Sequence, residues 1–131
     1  MFTEMMASGS GSSKELLWTN SNPSADFGSQ FITLPNPYTN YKYICIEWAY
    51  NRDTLTVKQN ILVDGLPTAI GSSGYDESAM VAVTSSGAVY IRRFHTNIND
   101  NTKIAILSGQ LLSSAASVNS VCIPLAIYGI N

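Results

Sequence analysis

Acidic side chains are the first candidates for chemistry, because two carboxyl groups flanking a sugar can hydrolyse a glycosidic bond. The chain has nine Asp and Glu residues. Most of them stand in turn-forming segments, where an Asp side chain commonly bonds its own backbone. Glu47 differs, since it lies in the apolar stretch YICIEWAY beside Trp48. We expect Glu47 to face solvent or to pair with an arginine, so the acids do not indicate a hydrolase.

The remaining candidates for catalysis are also weak. His95 is the single histidine, in the segment YIRRFHTN, and the segment GSSGY lacks the spacing of a G-x-S-x-G nucleophile elbow. Arg92 and Arg93 are adjacent and would point to opposite faces of a strand. We expect at least one to face inward and pair with a carboxylate, since a buried guanidinium needs a partner. The sequence therefore predicts no catalytic residue and no enzyme.

The cysteines and the loop acids do not indicate a metal or a cofactor. Cys45 and Cys122 both lie in apolar, strand-like stretches, and two cysteines are too few for a disulfide framework. We expect two buried thiols, with a bridge between neighbouring strands as the alternative. The loop NINDN, residues 97–101, offers oxygen atoms but lacks the order of carboxylates in a calcium-binding EF-hand loop.

Composition excludes several classes of partner. Only 12% of the residues are charged and the formal net charge is −2. No cluster of basic residues exceeds Arg92-Arg93, so nucleic-acid binding is not expected. No apolar stretch is long enough to cross a bilayer, and MFTEMMASGSG lacks the basic start and apolar core of a signal peptide. The polarity comes from Ser, Thr and Asn, which suits hydrogen bonding to neutral polar ligands such as glycans.

The hydrophobic pattern predicts an all-β chain. Residues 1–13, with ASGSGSS, indicate a flexible linker or an expression remnant, and residues 14–131 a single domain. Ile44, Ile46, Trp48 and Tyr50 share one face of a strand with period two. In TLTVKQNILVD, every second residue lies on one face of a predicted strand, and this mostly apolar set is Leu55, Val57, Gln59, Ile61 and Val63. Further strands are predicted at 14–19, 27–34, 77–85, 88–96, 101–107 and 121–130, and a loop or single turn at 109–116.

Turn-forming segments rich in Pro, Gly and Asn separate these strands. The expected fold is an antiparallel β-sandwich of eight or nine strands, arranged like a jelly roll. The last strand, in VCIPLAIYGIN, is apolar on both faces. We expect it to be central or to lie against a neighbouring subunit. The predicted subunit-contact residues are Tyr43, Cys45, Tyr128 and Ile130.

Aromatic and amide side chains in loops are the candidate ligand-binding residues. An exposed aromatic ring can stack on a sugar face while nearby Asn or Asp side chains bond its hydroxyls. The alternative is that these rings cover the ends of the sandwich. The predicted ligand-binding residues are Asn36, Tyr38, Tyr75, Asp76, Asn99 and Asp100.

Two terminal segments, LLWTNSNPSADFGSQFITLP and CIPLAIYGIN, resemble C-terminal domains of tail-fibre and minor structural proteins from phages of Gram-positive and gut bacteria. Such domains often open with Leu-Trp-Thr-Asn, then Pro, then Phe and Gln ahead of a strand. They often close with Ile-Pro and Ile-Tyr-Gly-Ile. The resemblance covers about residues 16–131. The matching positions are Leu17, Trp18, Thr19, Asn20, Pro23, Phe27, Gln30, Ile123, Pro124, Ile127, Tyr128, Gly129 and Ile130.

The resemblance implies a virion-associated domain at a fibre tip, assembled as a homotrimer. It implies location on the phage tail or fibre after synthesis in the bacterial cytoplasm, and attachment to a host-surface receptor. We expect that receptor to be a glycan or another cell-wall polymer. The alternative function is a structural trimerisation or decoration module without a ligand. The family motifs supply no binding residues, because the receptor loops of such tips vary.

Overall fold

The structure is a computed structural model that describes residues 13–52, 54–62, 77–97 and 99–131, with only the backbone described at 54–56, 59–62 and 77. This part of the chain contains nine β-strands, one short 3-10 turn at Tyr38–Asn40 and no α-helix. The strands are β1 (Lys14–Thr19), β2 (Gln30–Thr33), β3 (Tyr43–Asn51), β4 (Thr54–Leu62), β5 (Glu77–Val83), β6 (Val89–Thr96), β7 (Lys103–Leu111), β8 (Ala116–Ser117) and β9 (Val121–Ile130). The predicted all-β fold is confirmed. No helix in the described ranges is long and apolar enough to span a membrane.

The strands form two antiparallel sheets that pack as a sandwich. Sheet A has the strand order β1-β9-β3-β4, and sheet B has the order β2-β7-β6-β5, with β8 paired to β7. Each strand pair is antiparallel. The edge strands β4 and β5 belong to different sheets but lie near each other, since residues of the two are in contact.

The core lies between the sheets and follows the predicted parity of β3. Ile44, Ile46 and Trp48 are at most 3% exposed, and they join Phe94 and Ile104 of sheet B in one apolar cluster. Each such side chain contributes roughly 1.5–3 kcal/mol when it leaves water. Period-two alternation therefore predicted correctly which face of β3 supplies the core.

The C-terminal strand is central in sheet A, as expected, but its alternation is interrupted. The ladder between β9 and β3 pairs Glu47 with Ala126 and Trp48 with Pro124, which leaves Leu125 as an extra residue in β9. A β-bulge of this kind changes which residues share a face. The two alternating sets of residues predicted for the last segment therefore do not each keep to one face along the whole of β9.

The prediction of direct contact with a second subunit is wrong for two of the four residues. Cys45 and Ile130 are both 0% exposed within one chain, so neither side chain has surface left for a second copy. Both lie on the face of sheet A that points away from sheet B, where neighbouring larger side chains such as Tyr128 flank them. Tyr43 and Tyr128 are half-buried and keep some exposed surface.

Several segment boundaries differ from the prediction, and at two of them strand pairing continues beyond the predicted end. β7 continues through Leu111, because its backbone pairs with Tyr90 of β6, and only the residues after it form a turn. Strand pairing outweighed the Ser-rich composition of 109–116. Ser13 exchanges two backbone hydrogen bonds with Asn131, at 3.1 and 3.4 Å, and so extends the β1–β9 ladder into the predicted linker. The rest of that linker, residues 1–12, lies outside the described residues.

Candidate functional site

The inward-facing arginine is Arg92, which is 0% exposed between the two sheets. Its guanidinium donates four hydrogen bonds to backbone carbonyl oxygens: Nη1 to Leu107 at 2.7 Å, Nε to Cys122 at 2.8 Å, and Nη2 to Val121 at 3.1 Å and Asn119 at 3.3 Å. The expectation of a carboxylate partner is therefore wrong. Carbonyl dipoles stabilise the cation instead, and burial lowers its pKa to about 10.

Glu47 takes part in a cluster on the outer face of sheet A. Its Oε2 lies 3.8 Å from Nζ of Lys14, so its basic partner is a lysine and not the predicted arginine. The same ammonium stands 4.1 Å from the ring centroid of Tyr128. Burial first, and then the charge of Glu47 and its hydrogen bond with Tyr128, raise the pKa of the Tyr128 hydroxyl. The cluster ties β1 to the centre of the sheet.

The predicted ring Tyr38 is buried, with 2% of its surface exposed. Its backbone N–H donates to the carbonyl of Asn101 at 2.8 Å, and its hydroxyl donates to the carbonyl of Asn97 at 3.1 Å. The ring belongs to the core cluster and closes one end of the sandwich. Stacking on a sugar is therefore wrong for Tyr38, and the alternative role of covering the sandwich end is confirmed.

The amide and carboxylate side chains predicted to bind a ligand near Tyr38 mostly form hydrogen bonds within the domain. Asn36 Nδ2 donates to Glu15 Oε2 at 3.2 Å and to the hydroxyl of Tyr41 at 3.3 Å. Asp100 Oδ1 accepts from the backbone N–H of Thr102 at 3.0 Å and from its hydroxyl at 2.6 Å. These two hydrogen bonds lower the pKa of Asp100. Asp100 thus stabilises its own turn, and Asn36 links its loop to β1.

Asn99 is exposed and stands in the same loop as Asp100, so the fold does bring Asn36, Tyr38, Asn99 and Asp100 to one end of the sandwich. The other two predicted ligand-binding residues, Tyr75 and Asp76, lie outside the described residues. Among the residues that are described, no group of three or more His, Cys, Asp or Glu side chains could hold a metal ion.

Both cysteines are buried free thiols, as predicted, and the alternative disulfide is absent. Burial raises the pKa of Cys45 and of Cys122 to about 11. A rise of about two units leaves roughly a hundredfold less thiolate at pH 8. We expect a thiol-specific disulfide reagent at pH 8 to label the native chain at least about a hundredfold more slowly than the chain in denaturant. Fast labelling without denaturant would contradict the burial of either thiol.

A groove follows the line where edge strands β4 and β5 approach each other. Its volume is about 570 Å³, within the range of small-molecule sites. The groove is lined by Tyr50, Lys58, Val81, Ala82, Val83, Thr84 and Ser85. The ring of Tyr50 lies 6.5 Å from that of Tyr90, and the two planes are tilted by 57°.

The groove combines an aromatic ring, an ammonium group and two hydroxyls with apolar walls. Thr84 is held in place, because its hydroxyl accepts the N–H of Ala88 at 3.1 Å and lies 2.9 Å from Ser86 Oγ. Val83 is 66% exposed and Val81 is 49% exposed. Such a surface can hold a polar, ring-shaped ligand by stacking and hydrogen bonding, without any bond-making step.

Sequence reasoning missed the groove because its residues come from separate strands of both sheets. The β3–β4 register also reverses the faces expected for β4. Lys58 pairs with Trp48 of the core face, whereas Val57 pairs with Ala49 and is 54% exposed. A shift of register by one residue exchanges the two faces of a strand. The sequence carried no local signal for the groove, because Lys58 reaches the core face of β4 only through the register of the β3–β4 ladder.

The sequence matches no protein-family model, and a search of the curated proteins finds no significant match.

Proposed function

We propose that this chain is a virion-associated domain of the phage tail-fibre tip type that attaches to a glycan on the host surface, with the groove between β4 and β5 as its ligand site. The groove of about 570 Å³ that presents Tyr50 beside hydroxyl groups is the observation that carries this proposal. The virion and fibre assignment is supported by the terminal motifs, residues 17–20 and 127–130, which resemble those of phage fibre domains.

Binding in this proposal is non-covalent. Tyr50 stacks on the apolar face of a sugar ring, and the hydroxyls of Thr84 and Ser85 bond its polar edge. The contact between Tyr50 and Tyr90, and the hydrogen bonds of Thr84, hold these groups in place before the ligand arrives. Groups that are already ordered lose less entropy on binding. A single groove of this size binds weakly, and several copies on one assembly gain affinity through multivalency.

The jelly-roll-like arrangement and the homotrimer also remain proposals. The first strand β1 is a direct neighbour of the last strand β9, and β2 is a neighbour of β7, as strands from opposite ends of the chain are in jelly rolls. A trimer is supported by exposed apolar side chains on the outer face of sheet A, namely Leu16 at 53% and Val57 at 54% exposure. Tyr43 and Tyr128 lie between them on that face and stay in the proposed contact.

Filling the groove is the test of its role. We expect Val83→Trp to reduce binding of the labelled chain to cells from a panel of Gram-positive and gut bacteria by at least about tenfold, because the indole occupies the ligand's place. Val83 is 66% exposed, so the larger side chain does not disturb the core. Flow cytometry with the labelled chain measures the effect.

The matched control is Leu112→Trp, which adds the same ring at a position that is 55% exposed and outside the groove lining. Its binding should stay within about twofold of the wild type. Equal loss in both variants would contradict the groove as the ligand site. Absence of binding to every strain by the wild-type chain would contradict adhesion itself.

The structural alternative is favoured by the same exposed apolar side chains that support the trimer, Leu16 and Val57 on the outer face of sheet A. Light scattering of the purified chain tests the trimer directly. A mass three times that of the 14.2 kDa chain, without binding to any bacterial strain, would support a trimerisation or decoration module. A monomer at every concentration would contradict the trimer.

A further inference from the structure

We propose that the groove selects a ligand that carries an isolated negative charge, a carboxylate or a phosphodiester on a surface polymer, and that Lys58 binds that charge. This inference rests on the proposed function, since it names the class of ligand for the same groove.

The register of β4 places Lys58 at the groove. Lys58 is paired with Trp48 in the β3–β4 ladder, and Trp48 is 3% exposed in the core. Directly opposed residues share a face of the sheet. Lys58 thus extends from the core side of an edge strand toward β5, where it lines the groove with Ala82 and Val83. It remains exposed, so its ammonium group is accessible to a ligand.

Among the described residues that line the groove, Lys58 is the one charged side chain, and the other six are uncharged. Lys14, Arg52 and Lys103 each have a carboxylate within 4.0 Å. Lys58 makes no such pair with any residue of the described ranges. An ammonium beside hydroxyl donors is suited to an oxyanion, because hydrogen bonds to a charged acceptor are stronger than those to a neutral one.

A lysine at a sheet edge also has a simpler explanation. Charged side chains that point inward on edge strands prevent other strands from pairing there. The same property disfavours an extended peptide as the ligand, since a peptide would bind by adding a strand to β5. An anionic polymer without a peptide backbone therefore fits the groove better than a peptide does. The edge-protection role predicts a change in solubility, and not in ligand binding, when Lys58 is replaced.

The test uses three probes of matched chain length: polygalacturonate for carboxylates, poly(glycerol phosphate) for phosphodiesters and neutral dextran. Biolayer interferometry on the immobilised full chain compares wild type with Lys58→Gln, Lys58→Arg and the control Lys42→Gln. Lys42 is exposed and lies outside the groove lining. We expect one or both anionic probes to bind, and Lys58→Gln to weaken that binding about fivefold, as for a partly exposed ion pair. Lys58→Arg and Lys42→Gln should stay within about twofold.

The probe that responds identifies the anion as carboxylate or phosphodiester. Equal binding of dextran and the anionic probes, or an unchanged affinity in Lys58→Gln, overturns the inference. Precipitation of Lys58→Gln with unchanged affinity assigns Lys58 to edge protection. If a neutral peptide displaces the bound probe equally well from the wild type and from Lys58→Gln, the groove binds peptides by strand addition. If Val83→Trp abolishes cell binding while Lys58→Gln does not, the groove is the site and only its charge selectivity is wrong.

Discussion

Replacing Arg92 with methionine is expected to lower the free energy of unfolding by about 3–5 kcal/mol, the largest loss for any single substitution proposed for this chain. Methionine fills a similar volume but donates no hydrogen bond. The carbonyl oxygens of Leu107, Val121 and Cys122 would then be left without their buried donor. Each unsatisfied buried carbonyl costs about 1–3 kcal/mol, and partial relaxation keeps the total below the sum.

The matched control is Arg93→Met, one residue along the same strand. Arg93 is exposed, so its replacement should change stability by no more than about 0.5 kcal/mol. Urea unfolding followed by tryptophan fluorescence measures both variants, because Trp48 lies in the core. Equal stability of the two variants would show that the hydrogen bonds from Arg92 to the backbone carbonyls contribute nothing to the free energy of unfolding.

Replacing Gly109 with alanine is expected to destabilise the fold by about 3 kcal/mol. A Cβ atom at this position would overlap the carbonyl oxygen of Val118 and would lie 3.1 Å from Nη2 of Arg92. The Val118 carbonyl oxygen is a backbone atom, so it cannot rotate away as the end of a flexible side chain can. The Val118 segment is also held close to Gly109, since its N–H donates to the Gly109 carbonyl at 2.7 Å.

Gly28→Ala is the control for this substitution. No atom lies within 4 Å of a Cβ built at Gly28, so the change should be nearly neutral or slightly stabilising. Thermal unfolding monitored by circular dichroism should show a lower melting temperature for Gly109→Ala alone. The double variant with Arg92→Met should be less destabilised than the sum of the two single variants, because the residues are in contact. Full additivity would contradict that contact.

Arg92 is connected to the groove through a short series of contacts. Arg92 donates a hydrogen bond to the backbone carbonyl of Cys122, at the start of β9. The Sγ atom of Cys122 lies 4.0 Å from the carbonyl oxygen of Tyr90. Tyr90 in turn supports the ring of Tyr50. We therefore expect variants at Arg92 to lose the proposed ligand binding together with stability, and Val83→Trp to lose the proposed binding alone.

The sequence by itself determined the strands and much of the core. Alternation with a period of two is a local property, because successive side chains of any strand point to opposite faces. It identified Ile44, Ile46 and Trp48 as core residues before any partner strand was known. Glycine and asparagine located the reversals between β5 and β6 and between β6 and β7 in the same way, through the backbone angles that each residue allows. The predicted turn segments VDGLP and GSSGY lie outside the described residues. The burial of both cysteines followed from their apolar surroundings.

Only the tertiary structure decided the register, the partner of Arg92 and the groove. Whether Val57 or Lys58 faces the core depends on which residue of β3 lies opposite, and a shift by one residue reverses the answer. The carbonyl oxygens around Arg92 belong to residues 15 to 30 positions away, and carbonyls carry no signal in the sequence because every residue has one. Tyr50 and Val83 meet at the groove because two sheets place their edges side by side, and long-range packing of this kind leaves no periodic pattern in the chain.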